Sequence, residues 1–420
     1  MMEKTVNEIM TQSVKYSDDR QQEYENTYQA ENLMMKVMYF LSCLVVLAQV
    51  LQISGLVSIL IAILYAATFV LFAVSWIYEF SILDAFAIVI VLLSFVHVFL
   101  NALASGSNVS FSYLRKWIMF SSTIVFFASA FKLVPDEKLL KEVRVGNVCL
   151  ALFLMEEYVR QGRSVYYLNG IYTEYLIFHF TNPNLTALFL GTIAIFEVCR
   201  VYSCRGVQMK VLHAALAAVM IFFSAETQSR NILLVMTVFV ILFLVLLIRK
   251  QRELKRSWLA ALLVSVYPLF FSLIYLRTIS WIKREGFLSF LVEKGKELSS
   301  RTNIWQTAFS QFRESPLLGA YYQMSGGTGL SQAHNTGVDI LTSYGLIPFI
   351  LVNVFLVQVM YRSGQAIARE NFIYLAAFAC CLLMGTGEAA LFSGGLCIQI
   401  FVGTFLILAN FGEKKEAEET

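Results

Sequence analysis

Stretches of about twenty apolar residues recur with few pauses from residue 33 to residue 411, more than any soluble core can absorb. A helix of that length spans the ~30 Å hydrocarbon layer, where every backbone group must find its partner within the segment. The chain therefore reads as an all-α, polytopic membrane protein. The apolar windows fall near 33–52, 54–76, 80–101, 114–133, 143–158, 183–200, 209–224, 230–249, 257–277, 338–360, 371–389 and 394–411, which predicts about 12 transmembrane helices. Composition agrees, with 58% apolar residues in 420 against roughly 45–50% in a soluble domain, and a mean hydropathy of +0.66. The fifth window is the weakest, being short and ending in Glu156 and Glu157. The aromatic stretch YYLNGIYTEYLIFHF after it reads as interfacial or re-entrant.

The windows divide the chain into a polar tail (1–32), one transmembrane domain (33–411) and a short polar tail (412–420). Residues 1–32 lack the charged, apolar and small-residue sequence of a cleavable leader, so the first span is expected to act as the insertion signal. With both termini cytoplasmic, most of the 32 basic residues, including the cluster RKQRELKR, fall on the inner side. The polar loop 278–337 then lies outside, exposed to water or folded over the bundle as a lid. A net charge of +3 gives no support to a nucleic-acid partner. The seven cysteines lie in or beside apolar runs, as small hydrophobic residues and not as a disulfide frame or zinc site.

Chemistry-bearing residues concentrate on the outer side. SSRTNIWQTAFSQFRESP places Ile304, Trp305, Ala308, Phe309 and Phe312 on one helical face, with Ser299 or Ser300 as cap and Pro316 past the end. Arg301 would then stand in the first turn, where a guanidinium and free N–H groups can converge on an anion. Pairing with lipid headgroups or Glu297 is the plainer alternative. Arg230 opens the eighth span on the same side, where basic residues are disfavoured; it either snorkels to headgroups or holds a phosphate with Glu226 orienting it. His334 ends the loop just before an apolar run. A polar residue at a helix entry needs no further reason, but an imidazole titrates near neutral pH and can take a proton from a hydroxyl. His97, His179 and His213 sit in or beside apolar stretches and read as packed or interfacial. No metal-binding spacing is found, and SGGTGLS lacks the lysine of a phosphate-binding loop, which leaves it the part of a hinge, with an anion-holding backbone nest as the lesser alternative.

In order and spacing, FTNPNLTA (Phe180 to Ala187), Ser229–Arg230 at the head of a span, RTNIWQTAFSQFRESPLLG (Arg301 to Gly319) and HNTGVDILTSYGLIPF from His334 resemble the O-antigen polymerase and O-antigen ligase superfamily of bacterial membrane glycosyltransferases. The resemblance covers roughly residues 170 to 360. It implies transfer of a glycan from an undecaprenyl-pyrophosphate donor to an acceptor hydroxyl, with no metal or other cofactor. His334 would be the base, and Arg230 and Arg301 would hold the diphosphate. Guanidinium suits that task because it stays charged and bonds bidentately. Asn335, Asn182, Asn184, Trp305 and Glu226 stand as supporting residues, and Arg160, Arg163 and Arg277 as alternatives for a third basic ligand. The partners implied are a lipid-linked oligosaccharide and membrane lipids, with a chain-length regulator or flippase beside them.

Nothing in the sequence points to a lipid A acceptor, so polymerisation of repeat units is expected before ligation of a finished glycan. A secondary transporter would need ionisable residues at mid-membrane and paired broken helices. Asp84 and Glu388 are the acids available for that, GTGEAALFSGG is a place where the eleventh span can break, and no internal repeat is found. Glu388 is expected instead to make a polar contact near the catalytic cavity.

Overall fold

The computed structural model describes residues 28–104, 111–168, 171–180, 183–204, 206–249, 257–285, 296–319, 333–366, 372–393 and 398–409. The chain opens with α1 (Tyr28–Val50). It continues through α2 (Ser54–Tyr78), α3 (Ile82–Ala104), α4 (Phe111–Lys132), α5 (Glu137–Gln161), β1 (Ser164–Leu168), β2 (Ile171–Tyr175), α6 (Pro183–Ser203), α7 (Val207–Glu226) and α8 (Arg230–Arg249). It ends with α9 (Ser257–Glu285), α10 (Lys296–Glu314), α11 (Thr336–Tyr344), α12 (Leu346–Ala366), α13 (Phe372–Met384), α14 (Ala390–Ser393) and α15 (Ile398–Ala409). Among the described residues, each apolar window falls largely on helix. Among the described residues, seven helices are long and apolar enough to cross a membrane, with shorter apolar helices at Asn231–Leu244, Phe372–Met384 and Ile398–Ala409. The chain is a multi-pass membrane protein.

The exposed surface supports that reading. Ile59, Ile63, Leu92, Leu103, Leu234, Leu263, Phe270 and Ile274 lie exposed on α2, α3, α8 and α9, a distribution that suits lipid and not water. α6, α13 and α15 are buried along most of their length and form the centre of the bundle. Without a hydrophobic drive between helices in lipid, polar ties and close packing must fix their arrangement. One such tie runs through four helices: Tyr39 donates to Asn147 (2.5 Å), Asn147 donates to Glu197 (2.6 Å), and Glu197 meets His213 Nδ1 (2.5 Å). His213 is thus a packed histidine, as expected, but one with a buried acid as its partner.

Contacts between helix ends define two faces. On one, Lys36 in the third turn of α1 meets Asp136, which caps α5, and Lys132 at the end of α4 meets Asp84 at the start of α3. Arg144 of α5 reaches Met209 at the start of α7, and Arg200 at the end of α6 reaches Tyr374 at the start of α13. Basic residues gather here. Asp84, one of the acids a transporter would need at mid-membrane, is instead the buried partner of Lys132 at a helix start.

The opposite face carries the departures from plain helix. The stretch read as interfacial or re-entrant folds as an antiparallel β1–β2 hairpin, with Ser164 opposite Tyr175 and Leu168 opposite Ile171. Its β-branched and aromatic residues suit a strand better than the helical period. The tenth window is two helices, α11 and α12, broken at Gly345. Gly345 has φ +85, and a Cβ there would lie 2.1 Å from the Leu317 carbonyl oxygen, so only glycine fits. Buried His97 bonds the Tyr344 carbonyl at the break, through Nδ1 at 2.5 Å. The eleventh window also breaks: α13 ends at Met384 and a turn at 385–387 leads to Glu388. Among the described residues, the non-glycine residues with positive φ, namely Gln52, Phe178, His179, Gln228 and His334, all lie on this face.

Two expectations need correction. α9 continues to Glu285, so the polar loop expected from 278 begins as two further turns of helix. α10 begins at Lys296, so Ser299 and Ser300 lie inside it and not at its cap position, and Arg301 stands in its second turn. The stretch SGGTGLS, the cluster RKQRELKR beyond Arg249, and most of the polar tails lie outside the described residues.

Candidate active site

Four segments meet around His334. α10 is amphipathic as the sequence predicts: Ile304, Trp305 and Ala308 are buried, with Phe309 and Phe312 partly so. Of these, Ile304, Trp305, Ala308 and Phe309 pack with Leu269, Phe271, Tyr275 and Leu276 of α9 and with Ala333 and Val338 beside His334. Trp305 is edge-on to Tyr275, with ring centroids 5.4 Å apart, and its indole N–H donates to the Ala333 carbonyl at 2.9 Å. The Ala333 N–H donates to Asp339 (3.2 Å), which Lys116 of α4 also contacts (3.3 Å). The backbone immediately before His334 is therefore held on both sides.

Asn335, not His334, is the helix cap. Its side chain accepts from the Val338 N–H (3.0 Å) and donates to the carbonyls of Pro268 (2.7 Å) and Thr386 (3.1 Å). A polar residue at a helix entry is explained by capping, and that need is met one position later. His334 takes a left-handed backbone, φ +49, at a cost of about 1–2 kcal/mol for a residue with a Cβ. Strain of this kind persists only where the surroundings impose it. Its side chain is partly exposed, and Nδ1 lies 3.1 Å from Glu388 Oε2. An ionised carboxylate only accepts, so the Nδ1 facing it is the donor, and in a neutral imidazole Nε2 would then keep its lone pair.

The turn at 385–387 joins this loop to the head of α8. The Thr336 N–H donates to the Gly385 carbonyl (2.8 Å) and the Thr336 hydroxyl donates to the Glu388 carbonyl (3.1 Å). Asn231, the residue after Arg230, donates to the Met384 carbonyl (3.0 Å). A Cβ on Gly387 would lie 2.6 Å from the Asn231 amide nitrogen. The helix start that bears Arg230 and the loop that bears His334 thus press on the same turn from two sides. Arg230 opens α8 as expected, and its side chain lies outside the described residues. Ser229 donates to Asn184 (2.8 Å), tying that start to α6. Arg301 precedes Trp305 by four residues on the same face, about 6 Å along the axis, within electrostatic reach of Tyr275.

The remaining basic candidates differ. Arg160 is paired with Glu157 (2.7 Å) and Arg163 with Glu226 (2.5 Å). The hydrogen bond to Glu226 raises the Arg163 guanidinium above its ordinary value. Glu226 is therefore engaged by Arg163, and its carbonyl accepts from the Leu176 N–H beyond β2. Arg277 is exposed on α9, and Asn182 lies outside the described residues. On the same face a cavity of about 480 Å³ opens between the α1–α2 turn and residues 177–180, lined by Gln49, Gln52, Ser54 and His179 among others. Sequence reasoning passed over Lys116, Asp339 and Asn231. The acid in HNTGVD, five residues past the histidine and inside an apolar run, was the signal available.

No curated protein matches the chain. Residues 215–352 match the family model described as O-Antigen ligase, a stretch that holds Arg230, Arg301, His334 and Asn335. Over that stretch, about a third of the chain, the sequence is similar to the O-antigen ligase family, which supports the resemblance to the O-antigen polymerase and ligase superfamily.

Proposed function

We propose that the protein is a glycosyltransferase that polymerises undecaprenyl-pyrophosphate-linked repeat units into a surface polysaccharide, O-antigen or capsule, at the outer face of the cytoplasmic membrane. The observation that carries this reading is the imidazole of His334, relieved of capping by Asn335 and held through Nδ1 by Glu388. His334 takes the proton of the acceptor hydroxyl, and the hydroxyl oxygen forms a bond to the anomeric carbon. The bond to the diphosphate breaks, and the leaving group departs with its electron pair. Arg230 and Arg301 hold the charge that develops there, in the part a divalent cation plays elsewhere. The donor stays at headgroup depth while the acceptor arrives from water.

The family description favours a second reading, in which a finished glycan is moved to a lipid or wall acceptor. A strain lacking the protein separates the two. Accumulation of a single lipid-linked repeat unit is the expected result, and accumulation of finished, unattached polymer would assign ligation instead.

Orientation follows from the same proposal. The face bearing His334 looks outward, and the face bearing Lys36, Lys132 and Arg200 looks into the cytoplasm with both termini. A cysteine at Gly326 is expected to react with an impermeant thiol reagent in intact cells, and one within RKQRELKR only after permeabilisation. Labelling of Gly326 from the cytoplasm alone would remove the catalytic reading.

A further inference from the structure

We infer that Glu388 is a positioning residue for the base step, holding the His334 imidazole in one tautomer and stabilising the imidazolium that proton transfer creates. The inference rests on His334 being the base. Three observations carry it.

First, the pair is fixed by more than its own contact. The Glu388 carbonyl accepts from the Thr336 hydroxyl at 3.1 Å, two residues beyond His334, and the Gly385 carbonyl accepts from the Thr336 N–H at 2.8 Å. A Cβ on Gly385 would lie 2.5 Å from the Thr336 hydroxyl oxygen, so the turn leading to Glu388 seats directly on the helix that follows His334. Second, the carboxylate is 2% exposed and uses one oxygen on His334, while Oε1 is buried with no hydrogen-bond partner among the described residues. A buried carboxylate with half its accepting capacity unused is a poor device for stability. It is well placed to meet a positive charge that arises during the reaction. Third, Asp339, five residues past His334, is already engaged by Lys116 and by the Ala333 N–H, and Glu388 is the carboxylate on the imidazole.

The proton therefore moves from the acceptor hydroxyl to Nε2, and Glu388 keeps its charge throughout, in the manner of a base held by a third group. Glu388→Gln preserves shape and removes charge. It is expected to slow single-turnover transfer about 10- to 100-fold with KM for the donor unchanged, the protein being the full chain in detergent and the donor lipid-linked repeat units extracted from a strain lacking it. In a cycle with His334→Ala, the double variant should be no slower than His334→Ala alone, because Glu388 acts only through the imidazole. Additive losses, or a Gln variant at wild-type rate while His334→Ala is slow, would overturn this inference and leave the base intact. A fast His334→Ala would overturn the base itself. Should Glu388→Gln fail to accumulate in membranes, the same cycle with Glu388→Asp, which withdraws the carboxylate by one methylene, carries the test, and additive losses there are equally adverse.

Discussion

Purified His334→Gln is expected to transfer glycan in a single turnover roughly 10²–10⁴-fold more slowly than the wild type, and nearly as slowly as His334→Ala. Glutamine keeps a hydrogen-bonding side chain but cannot accept a proton near neutral pH, so it separates a base from a residue that only positions the acceptor. The structure makes the comparison clean. Helix entry is secured by Asn335, with its bonds to Val338, Pro268 and Thr386, and the backbone before His334 is held by Trp305 and Asp339. Replacing His334 therefore leaves α11 capped. Glutamine and alanine both meet the left-handed backbone at φ +49, so its strain largely cancels between them. Donor affinity should barely change, since the diphosphate is assigned to the arginines. A Gln variant running at wild-type rate would place the base elsewhere.

The parts of this molecule governed by one-dimensional patterns were legible in the sequence. The apolar windows mark the helices, and α8 runs from Arg230 to Arg249 over the residues of its window. The face of Ile304, Trp305 and Ala308 is the buried face of α10, because an amphipathic period says which side must leave water. Features set by contacts between distant segments were not legible. The break at Gly345 is invisible in an apolar run, since its cause is the Leu317 carbonyl arriving from the preceding turn. The β1–β2 hairpin was obscured because aromatic residues suit an interface as well as a strand. Glu388 was read as a polar contact near the cavity, yet nothing in GTGEAALFSGG announces His334, 54 residues earlier, as its partner. Glu226 shows the reverse case: proximity in sequence suggested Arg230, whereas the hairpin side brings Arg163 to it across 63 residues.

Arg230→Ala and Arg301→Ala are each expected to abolish polymer and to slow transfer by roughly 10²–10³-fold, the usual loss when a group facing developing charge is removed. Protein levels should hold. Arg230 begins α8, where the helix dipole is positive and a cation is disfavoured by about 0.3–1 kcal/mol at an exposed site. Its removal should not weaken the helix, so a loss of activity can be read as a loss of function. The same position is where an anion is best received, because the free N–H groups of a helix start point toward it. Arg301 would act differently. It stands in the second turn of α10, where the helix N–H groups are already bonded, so its guanidinium acts without help from the helix end. Trp305, one turn on, ties that helix to Ala333 and sets the height of Arg301 relative to His334. Lysine keeps the charge but not the bidentate geometry, so Arg230→Lys and Arg301→Lys should recover little. Full polymer in both lysine variants, measured by gel profile beside membrane protein levels, would reduce the arginines to generic positive charge on the outer face. Normal polymer in either alanine variant would remove that arginine from the diphosphate site.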